Sequence, residues 1–444
     1  MRVVIVGAGE VGFNTARMLS HEGHRVIVVE QDEALVEHAG QQLDALVMQG
    51  NGASPRVLRE AGIEDSDLLV AATSIDEVNI VACLSAKAQG GTRTVARVHS
   101  QDYFDPREPF ARDLLGIDLV ISTEQMAAEE IRESLLVPGA VNVETFAGGS
   151  IEVVEVILKK GSPAVDRPVR DVRLPRRSLV VGVVREGEAL VPKGDTVLRT
   201  RDHVFLICER RDVTEVVGAV ATDTEPVDEA MILGAGRIGL ILASALEEVG
   251  ISVKVIEKDA GRARQAASKL KKALVLHDEG VSREFLLQER VDRTDAFVAV
   301  TGDDRTNLLA AMNARRLGAR MTISGISRGE FAPLAEALGV DVTVSPRLLA
   351  AGAILRFVRK GEVAAVFLME SGAQMIELGV PRGCRVAGRR LAQVAFPEGA
   401  IVGAVSRNGE VLIPTGRDVL EAGDNVVVFT VQSAVDEVER LFAP

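Results

Sequence analysis

Short apolar runs alternate with stretches of helical periodicity from the first residues onward. Val3 to Val6, Arg25 to Val29, Ala45 to Met48, Leu68 to Ala72, Thr94 to Val98 and Leu119 to Ile121 read as strands. Between them, Val11 to Leu19, Glu33 to Gln41, Arg56 to Ala61 and Glu77 to Gln89 read as helices. Such alternation predicts a parallel, doubly wound sheet. After the sixth strand, Ser122-x-x-Gln125 has the form of a capping box and predicts a helix running to Pro138. A matching helix starts around Pro346, a residue suited to a first turn, and carries Leu348, Leu349, Ile354, Leu355 and Val358. Both helices lie outside a minimal doubly wound sheet, so their apolar faces are candidate dimerisation surfaces.

The chain repeats itself. Val4-Ile5-Val6-Gly7-Ala8-Gly9-Glu10-Val11-Gly12 is echoed in the second half by Met231-Ile232-Leu233-Gly234-Ala235-Gly236-Arg237-Ile238-Gly239, and Glu30 matches Glu257 in the same register. Asp67 to Thr73 aligns with Asp295 to Thr301, and Asp76 and Asn79 with Asp304 and Asn307, after a single insertion in the second copy. A second type of unit follows each half: Gly182, Gly187, Pro192, Gly194 and Asp202 align with Gly403, Gly409, Pro414, Gly416 and Asp424 in β-branched runs broken by turn residues. The order is A-B-A′-B′, with domains expected at 1–138, 139–222, 228–360 and 361–444 and boundaries near Pro138-Gly139, in Thr222-Asp223-Thr224-Glu225-Pro226 and near Lys360-Gly361.

The glycines carry the chemistry. Gly7-x-Gly9-x-x-Gly12 follows a strand, opens a helix and has an acid, Glu30, at the end of the next strand, which is the full context of a dinucleotide-binding Rossmann turn. Gly7 allows the tight turn, Gly9 lets the backbone approach a pyrophosphate, and Gly12 permits close helix packing. The helix start adds N–H donors and a positive partial charge. Glu30 accepts from a ribose diol and repels a 2′-phosphate, so NAD(H) is expected over NADP(H). Gly7, Ala8, Gly9, Glu10, Val11, Gly12 and Glu30 are therefore candidate cofactor contacts, as are Gly234, Ala235, Gly236, Arg237, Ile238, Gly239 and Glu257 in the second half. The same glycines could also serve a Rossmann domain that has lost its ligand and only packs strand on helix. Thr73 and Ser74 end the fourth strand, where they reach a ribose or nicotinamide, or cap the helix ahead of Asp76. Arg97 ends the fifth, where a guanidinium holds phosphate, and its counterpart is Gly325, so the two sites are expected to differ in ligand or affinity. His99 lies two positions on, on the same strand face as Arg97, with a ligand or regulatory role open beside a structural one.

Composition narrows the rest. The 444 residues suggest roughly three domains, with two or four close behind. A formal charge of −13 argues against a nucleic-acid footprint, and no Trp with 3% aromatics leaves little for stacking platforms. Cys83, Cys208 and Cys384 are far apart with no C-x-x-C, which indicates neither disulfide framework nor zinc site and suits a reducing cytoplasm. The first residues start a strand at once, so no signal peptide is expected, and no apolar run approaches the ~18 to 20 residues of a membrane span. The six histidines, His21, His24, His38, His99, His203 and His277, lack a nucleophile or metal motif, and no catalytic centre is expected.

At this point the residues resemble a family over essentially the whole chain. The order A-B-A′-B′, the stretches Gly50-Asn51-Gly52-Ala53-Ser54-Pro55-Arg56 to Gly62, Asp76 to Cys83, Ala96-Arg97-Val98-His99-Ser100-Gln101-Asp102-Tyr103, Ser345-Pro346-Arg347, and the closing Asp436 to Phe442 resemble the TrkA family of peripheral regulatory subunits of bacterial Trk potassium uptake systems. The resemblance implies an α/β fold of two Rossmann-like doubly wound domains, each followed by a small α+β RCK C-terminal domain. It further implies NAD(H), or ATP or ADP, as ligand, a TrkH- or TrkG-like potassium-conducting membrane partner, and a homo-oligomeric ring of tandem RCK units, a tetramer. The place implied is the cytoplasm, peripheral on the inner face of the membrane. Family cofactor positions carry onto Gly7 to Val11, Glu30, Thr73, Ser74, Arg97, Gly234 to Ile238 and Glu257, and Asn51 and Asp278 are counted with them. His99 stands where relatives often have Arg, and Ser324-Gly325-Ile326 replaces a stretch that often ends in Gln-Arg. Two other readings stand beside this one. An NAD-dependent dehydrogenase would need a matched catalytic His or Lys in each half, and none stands out. The third is a nucleotide sensor of another potassium transport system, such as efflux.

Overall fold

Apolar residues at every position of a run demand cover on both faces, and the first such run, β1 (Arg2–Val6), becomes the centre of a parallel sheet with Val3, Val4 and Ile5 fully buried. The computed structural model describes residues 1–90, 92–100, 103, 116–222, 224–328, 331–358, 363–369 and 371–443. The expected boundary at Lys360-Gly361, Asp223 of the expected linker, and Gln101-Asp102 of the stretch quoted above lie outside them.

After β1 come α1 (Glu10–His21), β2 (Arg25–Glu30), α2 (Glu33–Gln42), β3 (Leu46–Gln49), α3 (Pro55–Glu60), β4 (Leu68–Ala71), α4 (Asp76–Gly90), β5 (Arg93–Arg97), β6 (Leu119–Ile121) and α5 (Thr123–Leu136). The strands pair in parallel in the order β3-β2-β1-β4-β5-β6. The order reverses between β1 and β4, which opens a crevice at their carboxyl ends, where doubly wound sheets take ligands. Ser122 Oγ accepts from the Gln125 N–H at 3.2 Å and caps α5, as its spacing predicts.

The second half repeats this plan. An antiparallel lobe comes first: β7 (Asn142–Phe146), β8 (Ile151–Ile157), β9 (Ser178–Arg185), β10 (Glu188–Leu190), β11 (His203–Glu209) and α6 (Val213–Gly218), with sheet order β10-β9-β11-β8-β7. Then follow β12 (Glu229–Leu233), α7 (Arg237–Glu248), β13 (Ser252–Glu257), α8 (Ala260–Lys269), β14 (Leu274–His277), α9 (Arg283–Gln288), β15 (Ala296–Ala299), α10 (Asp304–Leu317), β16 (Met321–Gly325), α11 (Ala332–Ala337), β17 (Val342–Val344) and α12 (Pro346–Val358). Their sheet, β14-β13-β12-β15-β16-β17, has the same order as the first. The last lobe is β18 (Val363–Leu368), β19 (Gln374–Gly379), β20 (Ala400–Arg407), β21 (Glu410–Leu412), β22 (Asn425–Thr430) and α13 (Val435–Phe442), ordered β18-β19-β22-β20-β21.

Two compact units result. Residues 1–127 with 345–358 form the first, and the rest of the described chain forms the second. Helix α12 therefore packs within the first unit, although β17, the strand just before it, belongs to the second sheet. It lies along α1 with Ile354 and Leu355 buried, and the Arg93 guanidinium sits 4.1 Å over the Phe357 ring. Of the apolar positions named from the sequence, Ile354, Leu355 and Val358 are buried within the chain, while Leu348 stays 43% exposed.

In the second unit the two antiparallel lobes pack sheet to sheet. Phe146, Val153, Val181, Phe205 and Ile207 of one form a single apolar cluster with Met375, Ala404, Val427 and Phe429 of the other. The repeated glycines make this approach possible: a Cβ on Gly182 would lie 2.3 Å from the Phe429 ring, and one on Gly403 2.8 Å from Val181. On the far faces, α6 and α13 cover each sheet with Val213, Val216 and Val217, and with Val435, Val438 and Phe442. Each lobe also holds one buried carboxylate in a bidentate pair: Arg185 to Asp202 at 2.7 and 2.8 Å, and Arg407 to Asp424 at 2.8 Å twice. Among the described residues, no helix is long and apolar enough to cross a membrane.

Candidate nucleotide-binding sites

The glycine turn of the first lobe is built by three separate demands. Gly7 has φ +100°, open to glycine at little cost, while its N–H bonds to the Val29 carbonyl at 2.8 Å. Gly12 allows α1 to close on the turn, since a Cβ there would lie 1.9 Å from the Gly7 carbonyl oxygen. Gly9 is different. It is the N-cap of α1 with φ −64°, its added Cβ would meet nothing within 4 Å, and no side chain caps the helix start. The first-turn N–H groups of α1 are thus presented beside an open backbone, the arrangement that receives phosphate.

Glu30 sits at the end of β2 and accepts three backbone N–H bonds, from Ala8 at 2.6 Å, Gln31 at 2.6 Å and Asp32 at 2.9 Å. It thereby ties the glycine turn to the second strand. Asn51, after β3, turns its own loop by accepting from the Ala53 N–H at 2.9 Å. Thr73, Ser74 and Arg97 are brought to the same carboxyl edge by β4 and β5. The Thr73 hydroxyl is committed to Asn79 Oδ1 at 2.7 Å, while Ser74 is exposed. Fully buried Asn79 is the residue that sequence reasoning misses: it accepts from Thr73 N and donates to the carbonyls of Thr73 and Arg97, which locks the crevice edge. Its match with Asn307 in the repeat is the available signal. Arg97 Nη2 donates to Thr123 Oγ1 at 3.3 Å.

His99 lies between two carboxylates, Nδ1 2.7 Å from Asp76 and Nε2 3.8 Å from Glu124. Burial would push Asp76 up, but the His99 ring and the N–H groups of Ser100 and His99 outweigh it and hold this carboxyl below its usual range. In the second half Asp304 keeps the backbone half of this device, accepting from Ser327 and Arg328 N–H at 2.9 and 3.0 Å.

The second glycine turn has the same backbone. Gly234 has φ +108°, a Cβ on Gly239 would lie 1.9 Å from the Gly234 oxygen, and Gly236 is open. Arg237 and Ile238 begin α7 on this turn. Glu257 accepts from Ala235 and Asp259 N–H at 3.0 and 2.9 Å. It differs from Glu30 in being 4% exposed and ion-paired to Arg262 at 3.3 Å. Asp278 closes its loop onto the Gly280 N–H at 2.8 Å, as Asn51 does. Asn307 spans Thr301 and Gly325 as Asn79 spans Thr73 and Arg97, but Gly325 brings no guanidinium. Among the described residues, no group of three His, Cys, Asp or Glu side chains is placed to hold a metal. The three cysteines are free and buried, and burial pushes Cys208 up to about 12 and raises Cys83 as well.

Two glycine-turn sheets in tandem, each followed by an antiparallel lobe, define a duplicated Rossmann protein of the RCK type. The model of the TrkA-N domain matches residues 3–123 and 230–346, and that of the TrkA-C domain matches residues 153–218 and 375–443. The chain is 34% identical over 451 residues to Trk system potassium uptake protein TrkA homolog 2 of Methanosarcina mazei, covering all of both chains. It is also 34% identical over 451 residues to Trk system potassium uptake protein TrkA of Halomonas elongata, covering 100% of this chain and 98% of that one. Among solved structures it resembles the GsuK channel bound to NAD, with a TM-score of 0.66 at 18% identity, over 99% of this chain and 78% of that chain. The chain belongs to the TrkA family. Its relatives are named as parts of a potassium uptake system and not as enzymes, which removes the dehydrogenase reading.

Proposed function

We propose that this protein is a peripheral regulatory subunit that binds NAD(H) or an adenine nucleotide and gates a TrkH-type potassium-conducting partner from the cytoplasmic face of the membrane. The observation that carries this reading is the uncapped start of α1 beside the open Gly9 backbone, with Glu30 fixed at the end of β2, in a chain of the TrkA family. In this reading the N–H groups from Gly7 to Gly12, with Ala8, Glu10 and Val11 in the turn, receive the phosphates, and Glu30 takes the ribose diol. A carboxylate offers about four lone-pair directions, so Glu30 keeps acceptor capacity beyond its backbone donors. Asn51, Thr73, Ser74 and Arg97 line the rest.

Gly234, Ala235, Gly236, Arg237, Ile238, Gly239, Glu257 and Asp278 form the second, weaker site, since Arg262 occupies Glu257 and Gly325 replaces Arg97. Assembly as a homo-oligomeric ring, a tetramer, follows in this reading from membership of the TrkA family, with Val81, 42% exposed, and Leu309, 57% exposed, at matching places of the two halves as candidate contacts. Gating requires that the nucleotide prefer one ring state over another, because equal affinity for both shifts nothing.

The test is an equilibrium titration of NADH, NAD, ATP and ADP into wild type and Glu30→Gln. Wild type is expected to bind, and the variant to lose roughly tenfold or more, because both Glu30 oxygens accept backbone N–H bonds and the amide NH2 of glutamine can accept neither these nor a ribose hydroxyl. Equal affinity would remove Glu30 from the ribose site, and no binding in wild type would overturn the nucleotide reading.

A further inference from the structure

We infer that Arg347, carried by the helix that follows the second Rossmann lobe, is a phosphate-binding residue of the first lobe's nucleotide site. The inference rests on the nucleotide reading above and deepens it by completing that site with a residue from the other half of the chain. Arg347 lies in the first turn of α12, and its Nη2 pairs with Glu10 Oε2 in the first turn of α1. The guanidinium is 17% exposed and Glu10 is 61% exposed, so the cation is held in place by packing while the acid reaches out to it from the solvent side.

A guanidinium at this place is odd as a helix clamp. The start of a helix carries positive partial charge, and a cation in the first turn of α12 is disfavoured by it. The start of α1, with no side-chain cap, adds more positive potential nearby. Both ends call for an anion, and Glu10 now supplies it. A nucleotide phosphate on the open Gly9 backbone brings more negative charge to the same spot, and without a cation it would meet the Glu10 carboxylate with repulsion. Arg347 resolves the conflict: its planar fork passes from Glu10 to the phosphate, which it binds bidentately, and Glu10 turns to water.

The repeat supports a purpose for the charge. Between the halves the residue types are exchanged: Arg237 of the second turn stands at the place of Glu10, and Glu124, next to Thr123 as Arg347 is next to Pro346, stands at the place of Arg347. The second turn thus carries a cation on itself, whereas the first turn carries an acid and receives its cation from α12.

The experiment compares ADP and adenosine binding to the full chain in wild type, Arg347→Ala and Glu10→Gln. The ratio of ADP to adenosine affinity is expected to fall tenfold or more in Arg347→Ala and to rise severalfold in Glu10→Gln, with adenosine itself unchanged in both. Loosening of α12 would weaken both ligands together, and Glu10→Gln alters only an exposed side chain, so the second variant decides if the first does not fold. An unchanged ratio in either folded variant overturns the inference while leaving the proposed function standing. A wild type that binds neither ADP nor NADH overturns both.

Discussion

Gly9 and Gly12 share one turn, yet substituting them separates binding from folding. A methyl group on Gly12 would lie 1.9 Å from the Gly7 oxygen, so Gly12→Ala is expected to cost about 2 to 4 kcal/mol in a denaturant melt. A methyl group on Gly9 meets nothing, at an ordinary φ of −64°, so Gly9→Ala should melt like wild type and still lose tenfold or more in ADP affinity. Wild-type affinity in Gly9→Ala would mean that no phosphate approaches this backbone. These roles are legible in the sequence because they are local: three glycines, one helix start and one strand end fix them. Asn79 and Arg347 are not legible in the same way. Asn79 acts by joining Thr73 to the Arg97 carbonyl, which requires β4 and β5 to be neighbours, and Arg347 acts on a helix from the far end of the chain.

At the scale of elements, the two antiparallel sheets depend on how closely they approach. Gly182→Ala places a methyl group 2.3 Å from the Phe429 ring and is expected to destabilise the protein by about 1 to 3 kcal/mol, with Phe429→Leu in the same chain recovering part of the loss. Additive losses in the double variant would show that the two positions do not meet. The sequence places Gly182 and Gly403 as turn-like punctuation in matching repeats, and their use is different: they sit within β9 and β20, where the absence of a side chain admits the opposite sheet. Alternation of apolar residues tells that a strand has a face to bury. It does not tell what buries it, and the same holds for α12, whose apolar positions are plain in the sequence while their partner α1 is not.

Across the whole molecule, duplication has kept the scaffold and changed the charges. Both sheets have one strand order, both turns one backbone, and both crevice edges one asparagine lock, all of which follow from residues that repeat. Glu10 against Arg237, Arg97 against Gly325 and His99 against Ser327 do not repeat; the guanidinium of Arg97, absent at Gly325, favours the first site for a phosphorylated ligand, whereas Glu10 in place of Arg237 works against it unless Arg347 offsets the acid. The A-B-A′-B′ order is legible from the repeat alone, but the passage of α12 into the first unit is not, because periodicity carries no information on which lobe a connecting helix joins. The claim that unites these features is that the chain controls potassium entry. Its most direct test is potassium uptake at limiting external potassium, in source cells lacking other potassium uptake systems, with this gene removed and then restored. Uptake is expected to be lost on removal and recovered on restoration; uptake that continues unchanged without the gene would overturn the claim.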